Sequence, residues 1–237
     1  MLKKGGVFLQ AYYINIKDIC YEKEVEFLLS LVSEKKRKRA LRFKRKEDRI
    51  RTLIGDILVR NVFCQKFNCK NEDVEYEYNE YKKPYIKGKE NFFFNISHSG
   101  DFVCAAFDDE EIGIDVEKID KMHYEDIAER FFAKEEYEWL IKQDVSYRIN
   151  CFYKLWTLKE SYVKLKGRGL GIPFDSFSFN VDYKNNIYEL NKPKEEIYLS
   201  SYNLDDSYEL SLCSLKKESK IEQITYEQLV ESIKKFI

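Results

Sequence analysis

The sequence predicts an α+β protein built as two similar halves, and three observations lead there. The order strand, helices, strands occurs twice along the chain. Hydrophobic residues make up 44% of 237 residues, enough for a large buried core. Three prolines and no low-complexity tract leave no visible linker. No letter-by-letter repeat accompanies the recurring order, and the junction falls near "EIGIDVE", which divides the chain into halves at 1–110 and 111–237.

The elements follow in order. "VFLQAYYINI" (7–16) is apolar and β-branched enough for a first strand, and Tyr21 to Leu31 has helical spacing. Ser33 is placed to cap a helix. After it, Leu41, Ile50, Leu53, Ile54, Ile57, Leu58, Val62 and Phe63 recur mostly at three- and four-residue intervals, one or two helices broken near Lys46 to Asp48. "VEYEY", "FFFNI", "FVCAAF" and "EIGIDVE" read as short strands, with "KKPYIKG" and "SHSGD" as turns between them. Helical pattern returns in "EDIAERFF", "KEEYEWLIKQ" and "YRINCFYKLWTLKESYVKLKG", the last closed by Gly167. "FDSFSFNV", "EIYLSSYN" and "YELSLCSL" supply later strands, and "TYEQLVESIKKF" a final helix.

Composition excludes several classes of function. The 41 basic and 42 acidic side chains cancel, so total charge gives no case for nucleic acid and only local patches matter. Six cysteines form no C-x-x-C pair and only His98 and His123 accompany them, so no zinc spacing exists and the thiols read as reduced and mostly core. The apolar run near the start is interrupted by Asn15 and Lys17, and no segment approaches the roughly 18 apolar residues of a membrane span, which predicts a cytoplasmic chain.

Four stretches carry chemistry. In "IGIDVEKI" strand alternation puts Ile112, Ile114 and Val116 on one face and Asp115 and Glu117 on the other, about 7 Å apart. Taken alone, that is a half-exposed strand with two solvated acids; with a divalent cation it is a pair of hard oxygen ligands. Wound as a helix, "FYKLWTLKESYVKLKG" collects Cys151, Leu155, Leu158, Tyr162 and Leu165 on one arc. Trp156, Glu160 and Lys164 form a separate row, either a surface pair or a charged face beside the Gly-rich exit "KGRGLG". "FNISHSGDF" ends a strand in Ser97, His98, Ser99 and Gly100, ordinary turn residues that are also anion-binding equipment. The run from Lys35 to Arg51 is either a solvated basic helix or a clamp for a polyanion.

Together, "FNISHSGDFVCAAFDDEEIGIDVEKI" and, some forty residues on, "FYKLWTLKESYVKLKGRGLGIPFDSFSF" closely resemble the 4'-phosphopantetheinyl transferase superfamily, in its monomeric, surfactin-synthetase-activating type. The likeness extends through "EKKRKRALRFKRKEDRIRTLIGDILVR" and "EYKKPYI" and covers most of residues 30–180. It implies two α+β halves about a pseudo-twofold axis with the active site at their interface. The implied reaction moves the phosphopantetheine arm of coenzyme A to a serine of an acyl or peptidyl carrier protein, releasing adenosine 3',5'-bisphosphate. By motif position Asp115, Glu117 and Glu160 resemble the ligands of Mg2+, or of Mn2+ in its place, and Lys164 the lysine at the reacting phosphate. Ser97 and His98 resemble coenzyme A phosphate contacts, and Lys36, Arg39, Thr52 and Lys83 further nucleotide contacts. The base for the carrier serine is left between Glu160 and a metal-bound water. Val116 between the acids adds no oxygen ligand, and Arg39 stands where lysine would also serve.

The resemblance further implies a monomer without nucleic-acid or membrane partners. "IDKMHYEDIAERFF" is the candidate for carrier docking, through Met122 and Tyr124, unless Ile127, Phe131 and Phe132 are plain core. An inert homologue that only binds coenzyme A or carriers, and a metal-dependent enzyme acting on nucleic acid, are the alternatives.

Overall fold

The computed structural model describes residues 9–121, 123–168, 171–182, 187–191, 196–217 and 220–237. In chain order the elements are β1 (Gln10–Asn15), α1 (Tyr21–Ser30), α2 (Glu34–Leu41), α3 (Lys46–Phe67), β2 (Tyr76–Tyr78), β3 (Pro84–Ile86), β4 (Phe93–Ser99), β5 (Phe102–Asp108) and β6 (Ile112–Lys118). Then come α4 (Tyr124–Phe131), α5 (Lys134–Ile141), α6 (Arg148–Lys166), β7 (Phe179–Asp182), β8 (Ile187–Leu190), β9 (Tyr198–Asp205), β10 (Tyr208–Ser214), β11 (Ile221–Gln223) and α7 (Tyr226–Ile233). The fold is α+β, as expected. No described helix is long and apolar enough to cross a membrane.

The chain forms two compact units. The first takes the residues up to Asp109 together with Lys220–Ile237, and the second Glu110–Ser219. This corrects the expectation that the second half runs to residue 237: β11 pairs parallel to β1, Ala11 opposite Ile221, and α7 packs on α3. The tripeptide strand is too short to leave a periodic signal, which is why its pairing escaped the sequence.

In the first unit the sheet runs β11-β1-β5-β4, so β4 is an edge strand. Helix α3 packs against β4 and β5 and against α1, α2 and α7. Every residue from Leu53 to Cys64 is buried, so the amphipathic pattern that predicted the helix fades in its middle turns. Three of those buried residues are polar. Asp56 and Arg60 form an i, i+4 ion pair at 2.7 Å, and the Arg60 guanidinium also donates to the Asn71 carbonyl at 2.9 Å. Ser33 caps α2 as expected, accepting the Lys36 amide at 3.3 Å. The predicted break between helices falls slightly earlier, at 42–45. "KKPYIKG" holds β3 as well as a turn, and Ser97 to Ser99 stay in β4, so only Gly100 and Asp101 turn the hairpin.

In the second unit a sheet of order β6-β10-β9 and the β7–β8 hairpin pack with α4, α5 and α6. Phe174 to Ser176 form a short 3-10 turn rather than the start of a strand, and β7 begins at Phe179. Helix α6 closes at Gly167, whose φ of 65° lies in the left-handed region that favours glycine. The strand expected from residue 7 begins at Gln10; residues 7 and 8, Met122 and part of "KGRGLG" lie outside the described residues.

One glycine sets how closely α6 lies on β6. A Cβ at Gly113 would fall 1.9 Å from the Ser161 carbonyl oxygen and 2.5 Å from the Leu165 amide nitrogen, both main-chain atoms that cannot rotate away. Gly113→Ala is therefore expected to destabilise the protein by about 3 kcal/mol or more, measured by chemical denaturation.

Candidate active site

Strand β6 lies antiparallel to β10 with Asp115 opposite Ser211 and Glu117 opposite Glu209, so these four side chains share a sheet face. Strand alternation alone predicts an acidic face that points away from the packing. Instead α6 covers it. Lys164 Nζ sits 2.5 Å from Asp115 Oδ1, Thr157 Oγ1 lies 2.8 Å from Ser211 Oγ, and Lys154 Nζ is 3.7 Å from Glu209 Oε1. Asp115 is 2% exposed and Glu209 fully buried. Charged groups are tolerated there because the helix brings a cation to each. Trp156, Glu160, Tyr162 and Lys164 are half-exposed on a stretch of α6 otherwise buried from Cys151 to Leu165, so the predicted row Trp156, Glu160 and Lys164 reaches the surface, joined by Tyr162 from the arc expected to be apolar.

The electrostatics tie four predicted residues together. Burial raises the proton affinity of Glu160 and the Asp115 carboxylate raises it further, with Lys164 opposing both. For Lys164, burial works to lower the pKa, but Asp115 at hydrogen-bond distance, then Glu160 and Glu117, outweigh it and hold the ammonium above its ordinary value. Among the described residues no group of three or more His, Cys, Asp or Glu side chains is gathered tightly enough to form a ligand cluster. The donor chemistry nonetheless fits a hard divalent cation: Asp115, Glu117 and Glu160 offer carboxylate oxygens, and Asp115 and Glu160 repel one another.

The first unit carries the residues expected to contact the nucleotide. Lys36 and Arg39 on α2 line a groove with Lys35, Arg42, Tyr76 and Lys82. Asp56 at its base sits 3.5 Å from Lys36, so the buried Asp56–Arg60 pair of α3 orients the lysine as well. Thr52, Lys83, Ser97 and His98 do not line this groove. Lys82, in the left-handed region at φ 67°, lines the groove, while the amide of its neighbour Lys83 donates to Asn79 Oδ1 at 2.8 Å. Ser97 is buried and His98 exposed on the edge strand β4. Arg51 donates to the Gly100 carbonyl, which ties that end of β4 to the first turns of α3, where Thr52 stands half-buried.

Residues that sequence reasoning passed over support the acids. Lys154 reads as part of a charged helix surface yet is buried against Glu209. Lys159, wholly buried, pairs with Glu136 at 2.7 Å and donates to the Phe174 and Phe177 carbonyls at 2.7 and 2.8 Å. A lysine inside an aromatic-rich helix and a glycine inside a strand were the available signals.

Comparison with known proteins identifies the family. Residues 20–110 match the family model described as "4'-phosphopantetheinyl transferase, N-terminal", and residues 111–213 that of the "4'-phosphopantetheinyl transferase superfamily". The chain belongs to the 4'-phosphopantetheinyl transferase superfamily. It is 38% identical to 4'-phosphopantetheinyl transferase Sfp of Bacillus subtilis over 94% of this chain and 100% of that one, and is an enzyme of the Sfp type. It is also 37% identical to the transferase gsp of Aneurinibacillus migulanus over 80% and 78% of the two chains. A solved holo-[acyl-carrier-protein] synthase of Thermotoga maritima aligns at 23% identity and a TM-score of 0.37, covering 46% of this chain and 64% of its own.

Glu209 makes the electrostatics beneath α6 testable. Burial pushes its carboxyl up to about 7, against the opposing pull of Lys154. Its folded pKa lies above the unfolded value, so the native state holds the extra proton and stability is lost as pH rises toward 7. Replacing Glu209 by Gln removes that loss, so the stability of Glu209→Gln relative to wild type should improve by about 3 kcal/mol between pH 4 and pH 8, read by denaturation at both pH values.

Proposed function

We propose that the protein transfers the 4'-phosphopantetheine arm of coenzyme A to a serine hydroxyl of an acyl or peptidyl carrier protein in a Mg2+-dependent reaction, releasing adenosine 3',5'-bisphosphate. The observation that carries this reading is the Lys164–Asp115 contact, with Glu160 coupled to both. One ammonium and three acids on a rigid strand and helix can receive a diphosphate and a hydroxyl.

In this reading Lys36 and Arg39 address the 3'-phosphate, and Thr52, Lys83, Ser97 and His98 make further contacts to the nucleotide. Asp115, Glu117 and Glu160 would hold Mg2+, which when bound supplies charge neutralisation at the diphosphate. Lys164, kept as an ammonium by its acidic neighbours, balances the charge that develops on the departing nucleotide. The serine oxygen bonds to phosphorus as the phosphorus–oxygen bond to the nucleotide breaks, and the serine proton passes to Glu160 or to a water beside it. The protein works as a cytoplasmic monomer without nucleic-acid or membrane partners.

For carrier docking, Phe132 belongs to the core and Ile127 and Tyr124 pack against it, which leaves Phe131 at 43% exposure on α4 as the apolar contact. Met122 lies outside the described residues.

The test is intact-mass spectrometry of an apo carrier protein incubated with the enzyme, coenzyme A and Mg2+. A gain of one phosphopantetheine, lost with EDTA, is expected; no gain on either a fatty-acid or a peptidyl carrier would overturn the reaction. Asp115→Ala is expected to lower kcat about a hundredfold or more. Its folding should change little, since Lys164 is 26% exposed and can turn to water. Lys36→Ala should instead raise the KM for coenzyme A about tenfold with kcat largely kept, as loss of one charged hydrogen bond requires.

A further inference from the structure

The C-terminal turn of α3 carries two thiols that the transfer reaction does not use. Cys64 is wholly buried on the helix, and Cys69, half-exposed, follows the left-handed residue Asn68 that ends it at φ 50°. The turn folds the chain back so that Cys69 Sγ lies 3.9 Å from Cys64 Sγ, both as free thiols. A disulfide closes that gap to roughly 2.0 Å, and Cys69 stands in the loop that would move.

We propose that Cys64 and Cys69 form a redox-addressable dithiol whose oxidant is a hydroperoxide and whose product is an intramolecular disulfide. Cys69, the thiol that solvent reaches, attacks the peroxide oxygen as its thiolate. The O–O bond breaks, leaving a sulfenic acid on Cys69 and a hydroxide that becomes water. The sulfur of Cys64 then attacks that of Cys69, and its thiol proton leaves with the displaced hydroxide as a second water. Two thiols lose two protons and two electrons, and one hydrogen peroxide becomes two waters. Burial pushes the Cys64 thiol up, which leaves Cys69 as the thiol that meets the peroxide first.

The segment that moves is coupled to the basic groove. Asn71, two residues beyond Cys69, accepts from buried Arg60 and donates to the Leu31 carbonyl at 2.8 Å, while Glu72, Val74 and Tyr76 form one groove wall. Drawing Cys69 toward α3 displaces this wall, so oxidation should alter how the groove receives its anion. That consequence rests on the coenzyme A reading of the groove; the disulfide itself does not.

Full-length protein carrying Cys20→Ser, which removes the exposed thiol, would be treated with hydrogen peroxide, alkylated and digested without reduction. Trypsin cuts after Lys66, between the two cysteines, so the disulfide appears as two joined peptides lighter by two hydrogens and separable by dithiothreitol. Dimedone should label Cys69 in a Cys64→Ser variant. Full alkylation of both thiols after peroxide, or dimedone on Cys64 and never on Cys69, would overturn the proposal. Oxidised enzyme should show a reversible shift of about fivefold or more in the KM for coenzyme A that Cys64→Ser lacks. A joined peptide with an unchanged KM would overturn the coupling to the groove, whereas failure of transfer in reduced enzyme would count against the coenzyme A reading alone.

Discussion

The closeness of α6 to the β6–β10 face is what the second unit depends on. A helix that lies with its backbone against a strand leaves no room for a side chain at the crossing, and Gly113 supplies the missing volume. Once the helix is there, Asp115 and Glu209 are buried beneath it, so both must find a partner from the helix. Lys154 and Lys164, ten positions apart on α6, are those partners, with Thr157 bonded to Ser211 between them. The interaction that seals the core thus also builds the charged site, and the site inherits the rigidity of the packing.

The first unit solves the same problem differently. Helix α3 carries its own counterions, Asp56 and Arg60, one turn apart and both buried. The pair is completed from outside by Asn71 and Lys36, which fastens the short segment after the helix and the basic helix α2 to the central one. A groove of like charges is unfavourable to assemble, since its lysines and arginines repel. Anchoring Lys36 on Asp56 offsets part of that repulsion and leaves Arg39 and Arg42 toward solvent.

Much of this was legible in the letters. The strand at Asp115, the helix bearing Glu160 and Lys164, the Ser33 cap and the last helix follow from periodicity and capping chemistry, and the predicted row Trp156, Glu160 and Lys164 reaches the surface. What could not be read is long-range. The pairing of β11 with β1, the burial of Lys154 and Lys159, and the sharing of one face by Glu117 and Glu209 all depend on strands that meet only after folding. β3 and β8 were missed because strands of three or four residues next to turn residues carry too few side chains to show alternation.

The return of Lys220–Ile237 to the first unit has a consequence for how the protein is made. During synthesis the ribosome delivers the sheet of the first unit early, but β11 and α7 emerge only after all of Glu110–Ser219. Until then the outer edge of β1 has no strand to pair with and α3 lacks the cover of Leu229 and Ile233. The unit that starts first is therefore the one that finishes last, and its exposed edge must survive the translation of more than a hundred residues before it is closed.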